Sequence, residues 1–275
     1  MILDGHIHIL SGNCSREDFV KRLKKAGIGG GVIISLPPRS FSWVAPAAST
    51  KERLDNLFFW REAAPNLFPF FWIDPMENDA LKQIDLAVKR GAAGFKIICN
   101  NFFPSDPQAL KIIGEIAQRG KPILFHSGIL WDGKASSAYN RPAEFEILLE
   151  IRGLKFALAH IGWPWRDELL AVYGKFQNAR LLRKDSTVEM FIDITPGTPP
   201  IYRQDALTKI FQIGYDVENN VIFGSDSIVN EYNVSWLREW IKRDNAIYKK
   251  LRLSQKVVKK IYSENLKRFL GKEKM

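Results

Sequence analysis

Among the residues of this chain whose types can hold a divalent metal and run acid–base chemistry, five stand out by position: His6, His8, His126, His160 and Asp226. His6 and His8 sit one residue apart in the opening stretch, residues 1–10, which reads as a strand with alternating faces. On that reading Leu3, Ile7 and Ile9 share an apolar face, and Asp4, His6 and His8 share the other. Two buried imidazoles are costly to desolvate unless something satisfies them. A zinc-like ion does so directly, because neutral imidazole is a common ligand. The same pair could instead stand on an exposed edge strand, where water satisfies it. His126 and His160, the other two histidines, also fall towards the C-terminal ends of predicted strands, before a Gly, Ser or loop. Asp226 holds the same place in the last strand. His126 is in phase with Leu124, His160 with Phe156 and Leu158, and Asp226 with Ile222 and Gly224. In a parallel barrel such ends ring the mouth where active sites are built.

The intervening sequence supplies elements able to position them. After the first strand, residues 15–26 read as an amphipathic helix capped by Ser15 and stopped by Gly27. Short apolar runs at 31–36, 68–75, 93–99, 121–128, 155–162, 188–195 and 220–227 read as buried strands. Helices are expected near 52–64, 78–90, 107–119, 166–181 and 203–214. Another should start at Asn140-Arg141-Pro142, with Asn140 as its cap, and run to about residue 152. Strand followed by helix, repeated about eight times over about 250 residues, predicts an α/β fold of the (β/α)₈ TIM-barrel type. The alternative is a doubly wound open sheet, but no G-x-G-x-x-G follows the first strand. No composition shift or low-complexity segment marks a boundary, so residues 1–275 read as one domain.

Composition narrows the class. The 275 residues are 46% hydrophobic and 25% charged, which reads as globular. No apolar run approaches the ~20 residues of a membrane-spanning helix, and Asp4 and His6 interrupt any signal-like core. Cys14 and Cys99 are the only cysteines. The expectation is a cytoplasmic protein without a disulfide framework. The net charge of +10 owes much to thirteen Lys and Arg residues between 238 and 274, interleaved with apolar positions at helical spacing. That pattern is a solvated helix face, and no nucleic-acid motif accompanies it. The expected partners are therefore a small-molecule substrate, whose attraction a positive field would help if it is anionic, and at most a second copy in a homodimer, with neither nucleic acid nor membrane.

Taken together, Asp4-Gly5-His6-Ile7-His8, Gly94-Phe95-Lys96, His126-Ser127-Gly128, His160-Ile161-Gly162-Trp163-Pro164-Trp165 and Phe223-Gly224-Ser225-Asp226 resemble the amidohydrolase superfamily in order and spacing. The nearest likeness is to its amidohydrolase-related branch, which includes aminocarboxymuconate semialdehyde decarboxylase and small metal-dependent hydrolases. The tail, residues 261–271, resembles that branch's closing helix. The resemblance implies a metal-dependent barrel in which His6, His8, His126 and Asp226 bind one divalent ion, zinc by expectation. It implies that His160 orients water or substrate, or binds a second metal in binuclear members. Lys96 falls where binuclear members carry a carbamylated bridging lysine. As an ordinary lysine it would pair with Asp226 or with a substrate carboxylate.

Two reaction classes follow. In hydrolysis of an ester, lactone or amide, Asp226 moves the proton and His160 stabilises the oxyanion or orients the nucleophile. In non-oxidative decarboxylation of an unsaturated or aromatic acid, a lyase reaction, the same ligands serve, and loops set the substrate. Loops 37–51 and 129–140, with Phe41, Trp43, Trp131 and Tyr139, are expected over the mouth. Arg141 and Trp163 are the candidates for substrate contact.

Overall fold

The computed structural model describes residues 1–10, 14–183 and 187–272. Lys274, the last member of the basic run, lies outside the described residues. Seven parallel strands alternate with helical segments: β1 (Ile2–His8), β2 (Ile28–Ile34), β3 (Leu67–Trp72), β4 (Gly94–Ile97), β5 (Ile123–Phe125), β6 (Lys155–Leu158) and β7 (Glu189–Asp193). Two short pieces complete the sheet, β8 (Val221–Ile222) and β9 (Ser227–Ile228), in the order β8-β7-β6-β5-β4-β3-β2-β1-β9. β8 pairs with β7 through Ile192↔Val221, and β9 pairs with β1 through Ile7↔Ser227 and His8↔Ile228. Because β8 and β9 are consecutive pieces of one path, the sheet meets itself across β1. Between them the Gly5 N–H donates to the Phe223 carbonyl at 2.9 Å, and the Asp226 N–H to the His6 carbonyl at 3.0 Å. The fold is TIM-barrel-like.

Two hydrophobic layers follow from strand alternation. Side chains such as Ile7, Ile33, Phe71, Phe95 and Ile192 face the surrounding helices, which include α1 (Arg16–Ala26), α2 (Thr50–Arg61), α3 (Ala80–Arg90), α4 (Pro107–Gln118), α5 (Arg166–Leu182), α6 (Pro200–Gln212) and α7 (Val234–Lys250). Leu3, Phe70, Leu124, Ala157, Phe191 and Ile222 instead form an interior cluster with Leu266, Phe269 and Leu270. The last three come from or just follow the closing segment, whose final helix is Asn265–Phe269. The Phe269 ring lies 5.0 Å from Phe191 and 6.2 Å from Phe70. The tail thus plugs the N-terminal end of the barrel and leaves the opposite end for chemistry. Among the described residues no helix is long and apolar enough to cross a membrane.

Ser15 accepts from the Asp18 N–H and Gly27 ends α1 in the left-handed region (φ 80°), as the sequence predicts. Three expectations need correction. Leu3 does not share the face of Ile7 and Ile9: it joins the interior cluster, while Ile7 and Ile9 pack among the helices. The β1–β2 register shifts between Ile2 and Asp4 and again between Asp4 and Ile7, which changes the phase of the strand. Gly31 permits the shift, since a Cβ there would stand 1.9 Å from the Asp4 carbonyl oxygen. Asp4 consequently does not point with His6 and His8. It takes hydrogen bonds from Ser225 and Tyr232 outside the barrel lumen. Finally, the helix expected after β5 is a 3₁₀ segment, Pro142–Glu150, and Asn140 does not cap it. The buried Asn140 amide donates to the Cys99 carbonyl at 2.6 Å, tying this loop to the end of β4.

Candidate active site

Strand alternation brings His6 and His8 to the same side at the C-terminal end of β1. Their Nε2 atoms are 3.2 Å apart, and Asp226 Oδ1 lies 3.6 Å from the first and 3.5 Å from the second. On its other nitrogen, Nδ1, His6 donates to Asp193 Oδ2 at 2.9 Å. That bond holds the ring proton on Nδ1 and leaves the Nε2 lone pair facing the cluster. Two imidazoles on one tetrahedral zinc, each about 2.0–2.1 Å from it, have nitrogens roughly 3.3 Å apart. The donor set and its spacing fit a divalent ion.

Asp226 reaches this position from a strained backbone. Its φ is 59°, in the left-handed region that Asp tolerates better than most residues. Gly224 allows the close approach, because a Cβ there would stand 2.2 Å from Thr195 Oγ1 and 2.8 Å from His6 Cβ. The Asp226 side chain stays 40% exposed, open to the mouth. Burial among the floor groups pushes its carboxyl up, but His6, His160, His8 and Lys96 outweigh that and hold it below the usual range.

His160 does not lie in β6. It sits in the turn Ala159–Gly162 with φ 60°, followed by Ile161 at φ 53°. Non-glycine residues in this region store strain of about 1–3 kcal/mol each and cluster at functional sites. The turn is pinned by the Ser127 hydroxyl, which donates to the Ala159 carbonyl at 2.6 Å, and by the Ile129 N–H, which donates to the Trp163 carbonyl at 2.9 Å. The ring lies 5.4 Å from that of His6 and 4.9 Å from that of His126. His6, His160 and Asp226 each offer a ligand atom within 4.8 Å of the others. Gly197 backs the ring, since a Cβ there would be 2.6 Å from His160 Cβ.

His126 follows β5 directly, and its Nε2 pairs with the Ile129 carbonyl at 3.1 Å, which places the proton on Nε2 and frees Nδ1. Burial pulls His6, His8 and His126 towards the neutral form that ligates metal. His6 and His126 fall well below the ordinary value and His8 falls to about 4. Lys96, in β4, is 1% exposed with Nζ 3.5 Å from His6 Nε2. Burial draws it down to about 8, against the opposing pull of Asp193 and Asp226.

Above this floor is a cavity of about 270 Å³. Phe41, Trp43 and Val44 reach it from the loop after β2, and Leu130 and Trp131 from the loop after β5; Trp72 and Ile98 line it from β3 and just beyond β4. Tyr139 packs instead on Phe103, with ring centroids 4.7 Å apart. A larger hollow of about 620 Å³, between the starts of α2 and α3, contains none of the floor groups.

Arg141 and Trp163 are not among the cavity-lining residues. The Arg141 guanidinium pairs with Glu168 at 2.5 Å and lies 5.2 Å over the Trp165 ring, so its charge is already engaged. Trp163 contributes its carbonyl to the Ile129 bond. Asp193, which ends β7 as His8 ends β1, is a further site residue that the histidine pattern of the sequence does not reveal. With His6 as a metal ligand, Asp193→Ala should weaken zinc affinity by roughly 10–100-fold, the usual loss when a ligand's supporting carboxylate is removed. Competition with a chromophoric chelator measures this, and an unchanged affinity would remove Asp193 from the site.

Residues 39–272 match the family model described as amidohydrolase. The chain belongs to the amidohydrolase family. No curated protein matches it. Solved structures with the same fold include an amidohydrolase from Burkholderia multivorans with bound zinc (10% identity, 98% of this chain and 99% of that one, TM-score 0.69). A second is 2,6-dihydroxybenzoate decarboxylase complexed with 2,6-dihydroxybenzoate (14%, 98% of each chain, 0.67). A third is a probable 2-pyrone-4,6-dicarboxylic acid hydrolase from Acinetobacter baumannii with citric acid bound (14%, 98% and 99%, 0.61). At these identities the likeness is one of fold.

Proposed function

We propose that this amidohydrolase is a metal-dependent hydrolase that cleaves an ester, lactone or amide bond in a small molecule. The observation that carries this reading is the convergence of the His6 and His8 Nε2 atoms with Asp226 Oδ1 at 3.2–3.6 Å beneath a small cavity. His6, His8 and Asp226 would hold the ion, zinc by preference, and His126 would be the fourth ligand. A bound divalent ion supplies Lewis acidity and lowers the pKa of water from about 15.7 to about 7.

The protein's own groups carry the protons and the charge. Asp226 is ionised at neutral pH, and since Oδ1 faces the two histidines, Oδ2 is the oxygen that accepts the water proton and returns it to the leaving group. His160, fixed by its turn and by Gly197, orients the carbonyl and stabilises the developing oxyanion. The Lys96 ammonium adds positive charge on the same floor. Asp193 keeps His6 in the tautomer whose Nε2 faces inward.

One observation favours the second reading, decarboxylation: the buried Lys96 could seat a substrate carboxylate beside His6. The test is a screen of zinc-loaded protein against lactones, esters, amides and aromatic or muconate-type acids, with carbon dioxide followed alongside. Hydrolysis that disappears on chelation and returns with zinc is the expected result. Carbon dioxide release from an acid, with no ester, lactone or amide cleaved, would reverse the assignment.

A further inference from the structure

We infer that the substrate presents a flat, uncharged ring and carries no charge outside the group that reacts, and that Trp43 and Trp131 cover that ring. This rests on the active site proposed above. Its basis is the distribution of polarity in the cavity. From mouth to floor runs a continuous aromatic wall: Trp43 and Phe41 have ring centroids 6.2 Å apart, Phe41 and Trp72 4.9 Å, and Trp72 and His8 5.5 Å. Aliphatic side chains of Leu10, Val44, Ile98, Leu130 and Ile228 fill the remaining wall. Flat rings pack well on such surfaces through stacked and edge contacts.

Charge is confined to the floor. Among the described lining residues Lys96 is the one Lys or Arg, and Asp193 and Asp226 already act on it. Arg141, which would otherwise be a partner for a distal carboxylate, is held by Glu168. A second carboxylate on the substrate would lie against apolar wall without a partner, and burying an unpaired charge is costly. The volume of about 270 Å³ falls just below the ~300–1,000 Å³ of typical ligand pockets, which suits one ring system.

The two tryptophans at the mouth point to the same class. Trp43 is 53% exposed and Trp131 75% exposed, on separate loops that both line this cavity. Large aromatics left in water beside a pocket gain burial when a ligand fills it.

The experiment compares chroman, a neutral bicyclic ether with no bond to hydrolyse, with isophthalate, a dicarboxylate on one ring, by calorimetric titration of the zinc-loaded protein. Turnover of 3,4-dihydrocoumarin, the lactone of the same shape as chroman, is measured in parallel. Chroman should bind at least about 100-fold more tightly than isophthalate, and Trp43→Ala and Trp131→Ala should each weaken it by roughly tenfold. Both side chains are exposed, so neither substitution opens the core, and circular dichroism with zinc analysis verifies this. Chroman binding as expected without hydrolysis of dihydrocoumarin would sink the hydrolase reading for this ring and leave the substrate class standing. Isophthalate binding as tightly as chroman, no binding of either, or unchanged chroman affinity in both variants would overturn the inference.

Discussion

Asp226→Asn should reduce kcat/KM by about 10²–10⁴-fold, the range that positioned acid–base groups contribute. The substitution isolates proton transfer. Asparagine keeps the shape of the side chain and an oxygen where Oδ1 faces His6 and His8, but its amide cannot accept the water proton. It also tolerates the φ of 59° that position 226 requires, so the backbone need not move. Steady-state kinetics with zinc content measured on the same sample test the assignment. A variant that retains zinc and turns over within tenfold of the parent enzyme would show that another group moves the proton.

On the function proposed above, removal of a histidine from β1 should empty the metal site, and the two histidines should differ in what else is lost. Zinc binding worth about 10–16 kcal/mol across four ligands implies roughly 3 kcal/mol, or about 100-fold in affinity, for each ligand. His6→Ala and His8→Ala should both show at least that loss. His6→Ala should also lower the thermal midpoint of the metal-free protein. Asp193, 1% exposed, would keep its contact with the Thr195 N–H but lose the His6 proton at 2.9 Å. An unsatisfied buried acceptor costs about 1–3 kcal/mol. His8 has no comparable buried partner, and its side chain is 15% exposed. His160→Ala should retain zinc and lose turnover. If His160→Ala empties the site while His8→Ala does not, the ion is held by His6, His160 and Asp226, the grouping within 4.8 Å.

The sequence alone determined most of the framework. Alternating strands and helices, the Ser15 cap, the Gly27 stop and the placing of four histidines and one aspartate at strand ends are local patterns. They follow from periodicity and capping chemistry, which act over a few residues. In a parallel barrel, strand ends meet whatever the details of packing, so His6, His8, His126, His160 and Asp226 were legible as one constellation, and the motifs around them as amidohydrolase motifs. What the tertiary structure alone decided depends on contacts between distant segments. The register shift against Gly31 turned Leu3 inward and Asp4 towards Ser225 and Tyr232, and strand alternation in β1 could not reveal it. Arg141 reads as a free cation until Glu168, 27 residues further on, is seen to hold it. Asp193 becomes a support for His6 across a separation of 187 residues, where no local pattern links them. The left-handed turn that aims His160 requires Ser127 and Gly197 from neighbouring loops. Local sequence dictates which residues reach the mouth, but only the closed barrel dictates which partner each one finds there, because burial and charge pairing are properties of the assembled interior.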